Sequence, residues 1–141
     1  METGSDIAEI VGAHADCEGP LLPILHDVQA RFGWVSEASI AQIAAALNLS
    51  RAEVSGVVSF YHDFRRTPDP RPVIRLCRAE SCQARGSEPL AAAAATLAGE
   101  RIRIEAVYCL GLCSAGPAAM IGGDVHARLD SERIAALMAV L

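Results

Sequence analysis

The sequence predicts an α+β chain, with a small N-terminal helical bundle followed by a β-α-β-β-α unit. Two observations carry this prediction. Through residue 60 the apolar residues recur at helical spacing behind helix-starting residues; beyond Pro68, Pro70 and Pro72 short strand-like runs alternate with helices. The expected division is a helical bundle over 1–60, a connecting segment over 61–72 and a second domain over 73–141.

The elements follow in order. Ser5 is placed to cap a first helix carrying Ile7, Ile10 and Val11. Pro20 and Pro23 sit near the start of a second, whose apolar set is Leu21, Leu22, Ile24, Leu25 and Val28, and Gly33 suits its end. Ser36 caps a third, running through Ile40, Ile43 and Leu47. Ser50-Arg51-Ala52-Glu53 is a capping-box pattern that opens a fourth, with Val54, Val57 and Val58 on its inner face. The aromatic stretch from Phe60 to Phe64 reads as extended, and the three prolines after it mark the linker.

Past the linker, Val73-Ile74-Arg75-Leu76 reads as a strand that delivers Cys77. Ser87 caps a helix that runs through the Ala-rich stretch to Leu97 and stops at Gly99. Arg101 to Glu105 alternates as a strand does. Ala118–Ile121 and Val125–Leu129 flank Gly122-Gly123-Asp124 as a hairpin, and Asp130 caps a last helix with Ile134, Leu137, Met138 and Leu141. A β-α-β crossover makes its two strands parallel. The whole order of the second half matches the core of a thioredoxin-like fold.

Composition narrows the function. Of 141 residues, 52% are hydrophobic, enough for a packed core, and the net charge is −5, which speaks against nucleic acid or an anionic membrane as partner. The longest apolar run, broken by Thr96, is far below the ~18 residues of a membrane helix, so no direct membrane insertion is expected. The first basic residue is Arg31, so no positive segment precedes an apolar stretch as in an export signal, and the expected location is cytoplasmic. Five cysteines in such a chain point to ligands before disulfides.

Four of those cysteines form a constellation. Cys77 and Cys82 are spaced Cys-x4-Cys, and Cys109 and Cys113 are spaced Cys-x3-Cys. Each pair follows one strand of the parallel unit, so both loops emerge at the same sheet edge. Four thiolates converging there are the usual ligand set of a [2Fe–2S] cluster. Gly111 and Gly116 let the loops bend tightly and aim N–H groups at sulfur, while Arg78 and Arg85 flank the first pair. Other readings compete. Zinc also takes four thiolates, though usually on Cys-x2-Cys knuckles. Two disulfides are a further alternative; a thioredoxin-type dithiol lacks its Cys-x-x-Cys, and a Rieske centre needs two His near the cysteines. His14, His26, His62 and His126 are scattered, and Cys17 lies far off in the helical part as a packing or exposed thiol.

These cysteines, in this order, resemble the thioredoxin-like [2Fe–2S] ferredoxin family. The helical front end resembles its longer members, the small iron–sulfur subunit of respiratory complex I and its relatives in NAD-reducing hydrogenases and NAD-dependent formate dehydrogenases. Gly56-Val57-Val58-Ser59-Phe60-Tyr61 looks like their bundle exit. Val107-Tyr108-Cys109-Leu110-Gly111-Leu112-Cys113, then Gly116-Pro117-Ala118-Ala119-Met120, looks most like the gamma subunit of the formate dehydrogenases. The segment between Cys82 and Cys109 is shorter than in the complex I members. The resemblance implies that Cys77, Cys82, Cys109 and Cys113 hold one [2Fe–2S] cluster. It also implies an FMN- and NAD-binding flavoprotein partner and a larger iron–sulfur and molybdenum subunit that oxidises formate. FMN, NAD and the molybdenum cofactor would all belong to partners, because no Gly-rich phosphate loop is present and no catalytic site is visible in this chain.

A reading from another class rests on Ser36 to Phe60, a passable helix-turn-helix that would make the chain an iron–sulfur transcription regulator. Charge opposes it: through residue 60, Arg31 and Arg51 stand against eight carboxylates, and such a surface repels DNA. A free electron-carrier ferredoxin is a third reading, for which the helical front end would have no use.

Overall fold

The computed structural model describes residues 4–141. The chain divides into two compact units, with the boundary between Pro70 and Arg71.

The first unit is helical. It contains α1 (Gly4–Ala13), α2 (Leu21–Phe32), α3 (Glu37–Leu47) and α4 (Arg51–Phe60). Ser36 accepts the Ser39 amide at 3.0 Å and caps α3; a cap of this kind contributes ~1 kcal/mol. Ser50 and Glu53 close a reciprocal capping box on α4, and the Ser50 amide and hydroxyl hold the Glu53 carboxyl below its usual range. Gly33 ends α2 at φ 84°, a left-handed conformation that glycine adopts without strain. Ile7, Ile10, Ile24, Leu25, Val28, Ile40, Ile43, Val54 and Val58 form one buried core.

Two expectations for this unit are corrected. Ser5 lies inside α1 and is not its cap. Phe60 to Phe64 is not extended: Phe60 is the last residue of α4, the Phe64 amide donates to the Tyr61 carbonyl at 3.1 Å, and Phe64 turns into the helical core against His26. A bundle core with room for one more ring outweighs the β preference of an aromatic run.

The second unit is a four-stranded sheet with helices. Its elements are β1 (Val73–Cys77), α5 (Glu80–Ala84), α6 (Ser87–Ala98), β2 (Arg103–Val107), a 3₁₀ turn at Cys113–Ala115, β3 (Ala119–Ile121), β4 (Asp124–His126) and α7 (Ser131–Ala139). Strand order is β2-β1-β3-β4, with β1 parallel to β2 and the other neighbours antiparallel. Ile74 and Leu76 point to one face, where Leu90, Ala94 and Ala98 of α6 and Ile134 and Met138 of α7 complete the core. Arg75 points to the other face, paired in register with Glu105, and their side chains meet at 3.3 Å. This is the α+β, thioredoxin-like arrangement, with helices followed by a mixed sheet.

Boundaries differ from expectation in four places. The short helix α5 lies where a loop was expected. Ser87 is the buried first residue of α6, and Gly86, in a left-handed conformation at φ 95°, occupies the cap position. The strand expected from Arg101 begins at Arg103, because the Arg101 and Ile102 amides still donate to the Ala98 carbonyl at 3.1 and 3.4 Å. The strand expected to reach Leu129 stops at His126. Arg128 turns left-handed at φ 51°, and Leu129 drops into the core with its amide on the Pro117 carbonyl. Asp130 caps α7 by accepting the Arg133 amide at 2.8 Å.

Candidate metal centre

The parallel pair sets the site. Cys77 ends β1 and is in register with Val107, the last residue of β2. The Cys77 amide donates to the Ala118 carbonyl and the Arg78 amide to the Val107 carbonyl, both at 2.8 Å, so the chain leaves β1 locked between its two neighbours. Cys82 sits on α5, within hydrogen-bonding reach of Cys77. Two residues beyond β2, Cys109 takes a φ of 102°, unusual for a residue with a side chain. Its sulfur lies 3.6 Å from that of Cys113, which opens the 3₁₀ turn.

The structure thus brings Cys77 to Cys82 and Cys109 to Cys113, and puts both pairs at one end of the sheet. The Ser81 hydroxyl donates to the Cys113 carbonyl at 3.0 Å and ties the two loops together. Charges are felt across them, since ionised Cys77 and Cys113 each push the Cys82 thiol up. Exposure divides the set: Cys77 and Cys82 are buried, whereas Cys109 and Cys113 are exposed. All five cysteines of the chain are free thiols. Cys17 lies in the helical unit, and so do His14, His26 and His62.

The surroundings of the thiols act in opposite directions: Cys77 is favoured as thiolate, whereas Cys82 and Cys113 are held as thiols. Burial pushes the Cys77 thiol up, but the Ala79 amide, the Cys82 thiol and the Cys109 and Leu110 amides hydrogen-bond to its sulfur, and the net effect holds it below the ordinary range. Burial raises Cys82, with the hydrogen bond to Cys77 adding to it and the Ala118 amide opposing. Cys113 is raised by its hydrogen bond to Cys109 and by the charges of Cys109 and Cys77. The Gly111 amide, at φ 76°, reaches the Cys109 sulfur at 3.4 Å. Ala79, Val107, Leu110, Leu112 and Ala118 pack around the buried pair as an apolar shell.

These features meet the demands of a [2Fe–2S] cluster. It takes four thiolates, two on each iron, and amide donors to its sulfurs. Among the described residues no group of three or more His, Cys, Asp or Glu is set to hold a single metal ion; the thiols stand as two pairs.

The family model for thioredoxin-like [2Fe-2S] ferredoxins matches residues 7–141. The chain belongs to this family. Its cofactor is a [2Fe–2S] cluster. The E subunit of the NADH-quinone oxidoreductase of Escherichia coli (strain K12) is 33% identical over 134 residues, covering 89% of this chain and 81% of that protein. Its counterpart of the same name in Pseudomonas aeruginosa (strain PAO1) is 29% identical over 143 residues, covering 95% of this chain and 86% of that protein. Among solved structures, the NAD+-reducing [NiFe]-hydrogenase in its air-oxidised state matches with a TM-score of 0.72 and 28% identity. The match covers 85% of this chain and 22% of the hydrogenase chain, so there the equivalent fold is one part of a longer polypeptide. None of these three relatives is a formate dehydrogenase.

Several parts of this site had no separate signal in the sequence. The amides of Ala79, Leu110 and Ala118 are backbone groups whose direction only the fold fixes. Arg78 could have offset cluster charge, but its guanidinium is taken by Glu88 in a two-pronged ion pair, Nε to Oε1 at 2.8 Å. Gly116 has a role beyond flexibility. A Cβ there would stand 2.9 Å from the Cys82 sulfur and 3.3 Å from Arg85 Cδ, although its φ of −68° is open to any residue. Gly116→Ala is therefore expected to displace Cys82, destabilising the second unit by ~1–3 kcal/mol and lowering cofactor occupancy. Thermal unfolding and iron content check this. Full occupancy at unchanged stability would show that the loop yields without cost.

Proposed function

We propose that Cys77, Cys82, Cys109 and Cys113 hold one [2Fe–2S] cluster. In this reading the chain is the small electron-transfer subunit of an NAD-linked oxidoreductase, placed beside a flavoprotein subunit that binds FMN and NAD. The observation that carries this is the convergence of two cysteine pairs on one sheet edge, with backbone amides aimed at the buried pair. The cluster, when bound, supplies a one-electron redox centre. The chain's own residues fix it, insulate its inner side and leave the Cys109–Cys113 side, next to the exposed Tyr108, open to a partner. The chain has no catalytic site of its own in this reading.

The finer proposal is the gamma subunit of a cytoplasmic NAD-dependent formate dehydrogenase, working with a larger iron–sulfur and molybdenum subunit. The stretch from Val107 to Met120 and the short passage from Cys82 to Cys109 support it. A second reading, the equivalent subunit of an NADH-quinone oxidoreductase or an NAD-reducing hydrogenase, is favoured by the similarity to those named proteins. Copurification separates them: a molybdenum subunit supports formate, a nickel subunit hydrogenase.

Purified without air, the chain should be red-brown, contain about two iron and two sulfide, and give a single spin-half EPR signal on reduction. Colourless protein with one zinc would overturn the proposal. NADH should reduce the cluster only when a flavoprotein subunit is present; rapid direct reduction without flavin would contradict a purely electron-transferring role. Among the described residues no helix is long and apolar enough to cross a membrane.

A further inference from the structure

The helical unit carries a thiol outside the cluster site, and its neighbours form a relay. Cys17 lies just beyond α1, its sulfur 3.8 Å from Nδ1 of His14. The other ring nitrogen, Nε2, is 2.6 Å from Oδ2 of Asp27 on α2. A carboxylate only accepts, so Nε2 carries a hydrogen, and in the neutral ring Nδ1 presents its lone pair to the sulfur. In that form Cys17 is the donor in its contact with His14. The Cys17 amide also donates to the His14 carbonyl at 3.0 Å, which fixes the two residues on one turn. Asp27 stands between Leu25 and Val28 on α2, both fully buried, so the carboxylate stands on an anchored helix. The His14 side chain is 18% exposed, while Cys17 is open to solvent. Nucleophile, base and orienting carboxylate are thus arranged in sequence on a site that a solute can reach.

We propose that Cys17, His14 and Asp27 form a thiol–disulfide exchange site that takes small cationic disulfides. The Cys17 sulfur attacks one sulfur of a disulfide RSSR as its proton passes to Nδ1 of His14. A new Cys17–S–S–R bond forms, the R–S–S–R bond breaks, and the leaving RS⁻ takes the proton from the imidazolium to depart as RSH. The disulfide is the oxidant and Cys17 is oxidised, so atoms and electrons balance. Asp27, 2.6 Å from Nε2, orients the ring so that Nδ1 faces the sulfur. Charge sets the class of disulfide. Asp16 and Glu18 flank Cys17, both exposed, and no Lys or Arg precedes Arg31, which is itself paired with Asp6 and Glu9. An anionic disulfide is repelled here and a cationic one is drawn in.

The test uses the full chain with its cluster in place, under nitrogen, with cystamine as the cationic disulfide and oxidised glutathione as the anionic one. Mass spectrometry of peptides locates and times the adduct. The adduct is expected on Cys17, with cystamine about tenfold faster than oxidised glutathione and the gap narrowing as salt is raised. His14→Gln should slow the cystamine reaction at least tenfold, within the usual range for loss of a general base. Asp27→Asn, at an exposed position that leaves folding intact, should slow it several-fold. Unchanged rates in Asp27→Asn overturn the relay even if His14→Gln does not fold. Adducts on the cluster cysteines instead of Cys17, or equal rates for the two disulfides, overturn the site or its charge preference respectively.

Discussion

Cys82→Ala and Cys113→Ala should each yield colourless protein whose second unit unfolds at lower temperature, whereas Cys17→Ser should keep the optical spectrum of the parent. The two positions differ in their surroundings. Cys82 is 1% exposed, lies against the Ala118 amide and shares an apolar shell with Cys77. Its loss removes a packed side chain, at ~1–3 kcal/mol, and on the proposed ligand set one of the four thiolates as well. Cys113 is exposed, so its substitution costs little packing and, on the proposed ligand set, reports on cluster binding alone. Because metal binding free energy is also folding free energy, both variants should lose the stabilisation that the cluster gives the loops. Iron content and thermal unfolding, measured together, separate the two contributions. Cys17→Ser bleaching the protein while Cys113→Ala stays coloured would show the ligand set to be wrong.

Much of this was legible in the chain because local chemistry and tertiary need agree. Ser36, Gly33, Asp130 and the Ser50–Glu53 box act at the helix ends where their side chains or conformations predict. The cysteine spacing, placed after two strands of one crossover, pointed to a shared edge, and Cys77 in register with Val107 supplies the reason. Elsewhere tertiary packing overrides local preference. Phe64 reads as β-forming but fills the bundle core; Ile102 alternates with its neighbours but completes the turn out of α6. Ser87 has the chemistry of a cap, yet Gly86 can turn left-handed at no cost and takes that place. The amides that face Cys77 could not be read at all, since every residue but proline has one and only the loop path decides which points at sulfur.

A chain beginning at Arg71 should keep its cluster and lose most of its affinity for a flavoprotein partner. The first half of this expectation follows from the fold. The four proposed ligands, Cys77, Cys82, Cys109 and Cys113, lie beyond the cut, and the second unit has a core of its own in Ile74, Leu76, Leu90, Ala94, Ile134 and Met138. The second half follows from what the helical unit leaves uncovered. Its four helices span 10 to 12 residues each, too short to be stable without tertiary burial, and most of their apolar surface is spent inside the bundle. A remainder faces outward. Phe60 is 74% exposed, and a groove of about 470 Å³ runs between Pro20, Leu21, Leu22, Leu47, Leu49, Val57 and Tyr61. Large aromatic and aliphatic side chains gathered on a surface are what a stable partner covers, and contributions of this kind dominate interfaces. Co-expression with an FMN-containing subunit followed by pull-down measures the difference, with absorbance of the captured fraction reporting the cluster. Phe60→Ala in the full chain should weaken capture in the same direction without touching the cluster spectrum. Undiminished capture of the shortened chain would place the docking surface on the second unit, around Tyr108 and the exposed Cys109–Cys113 side.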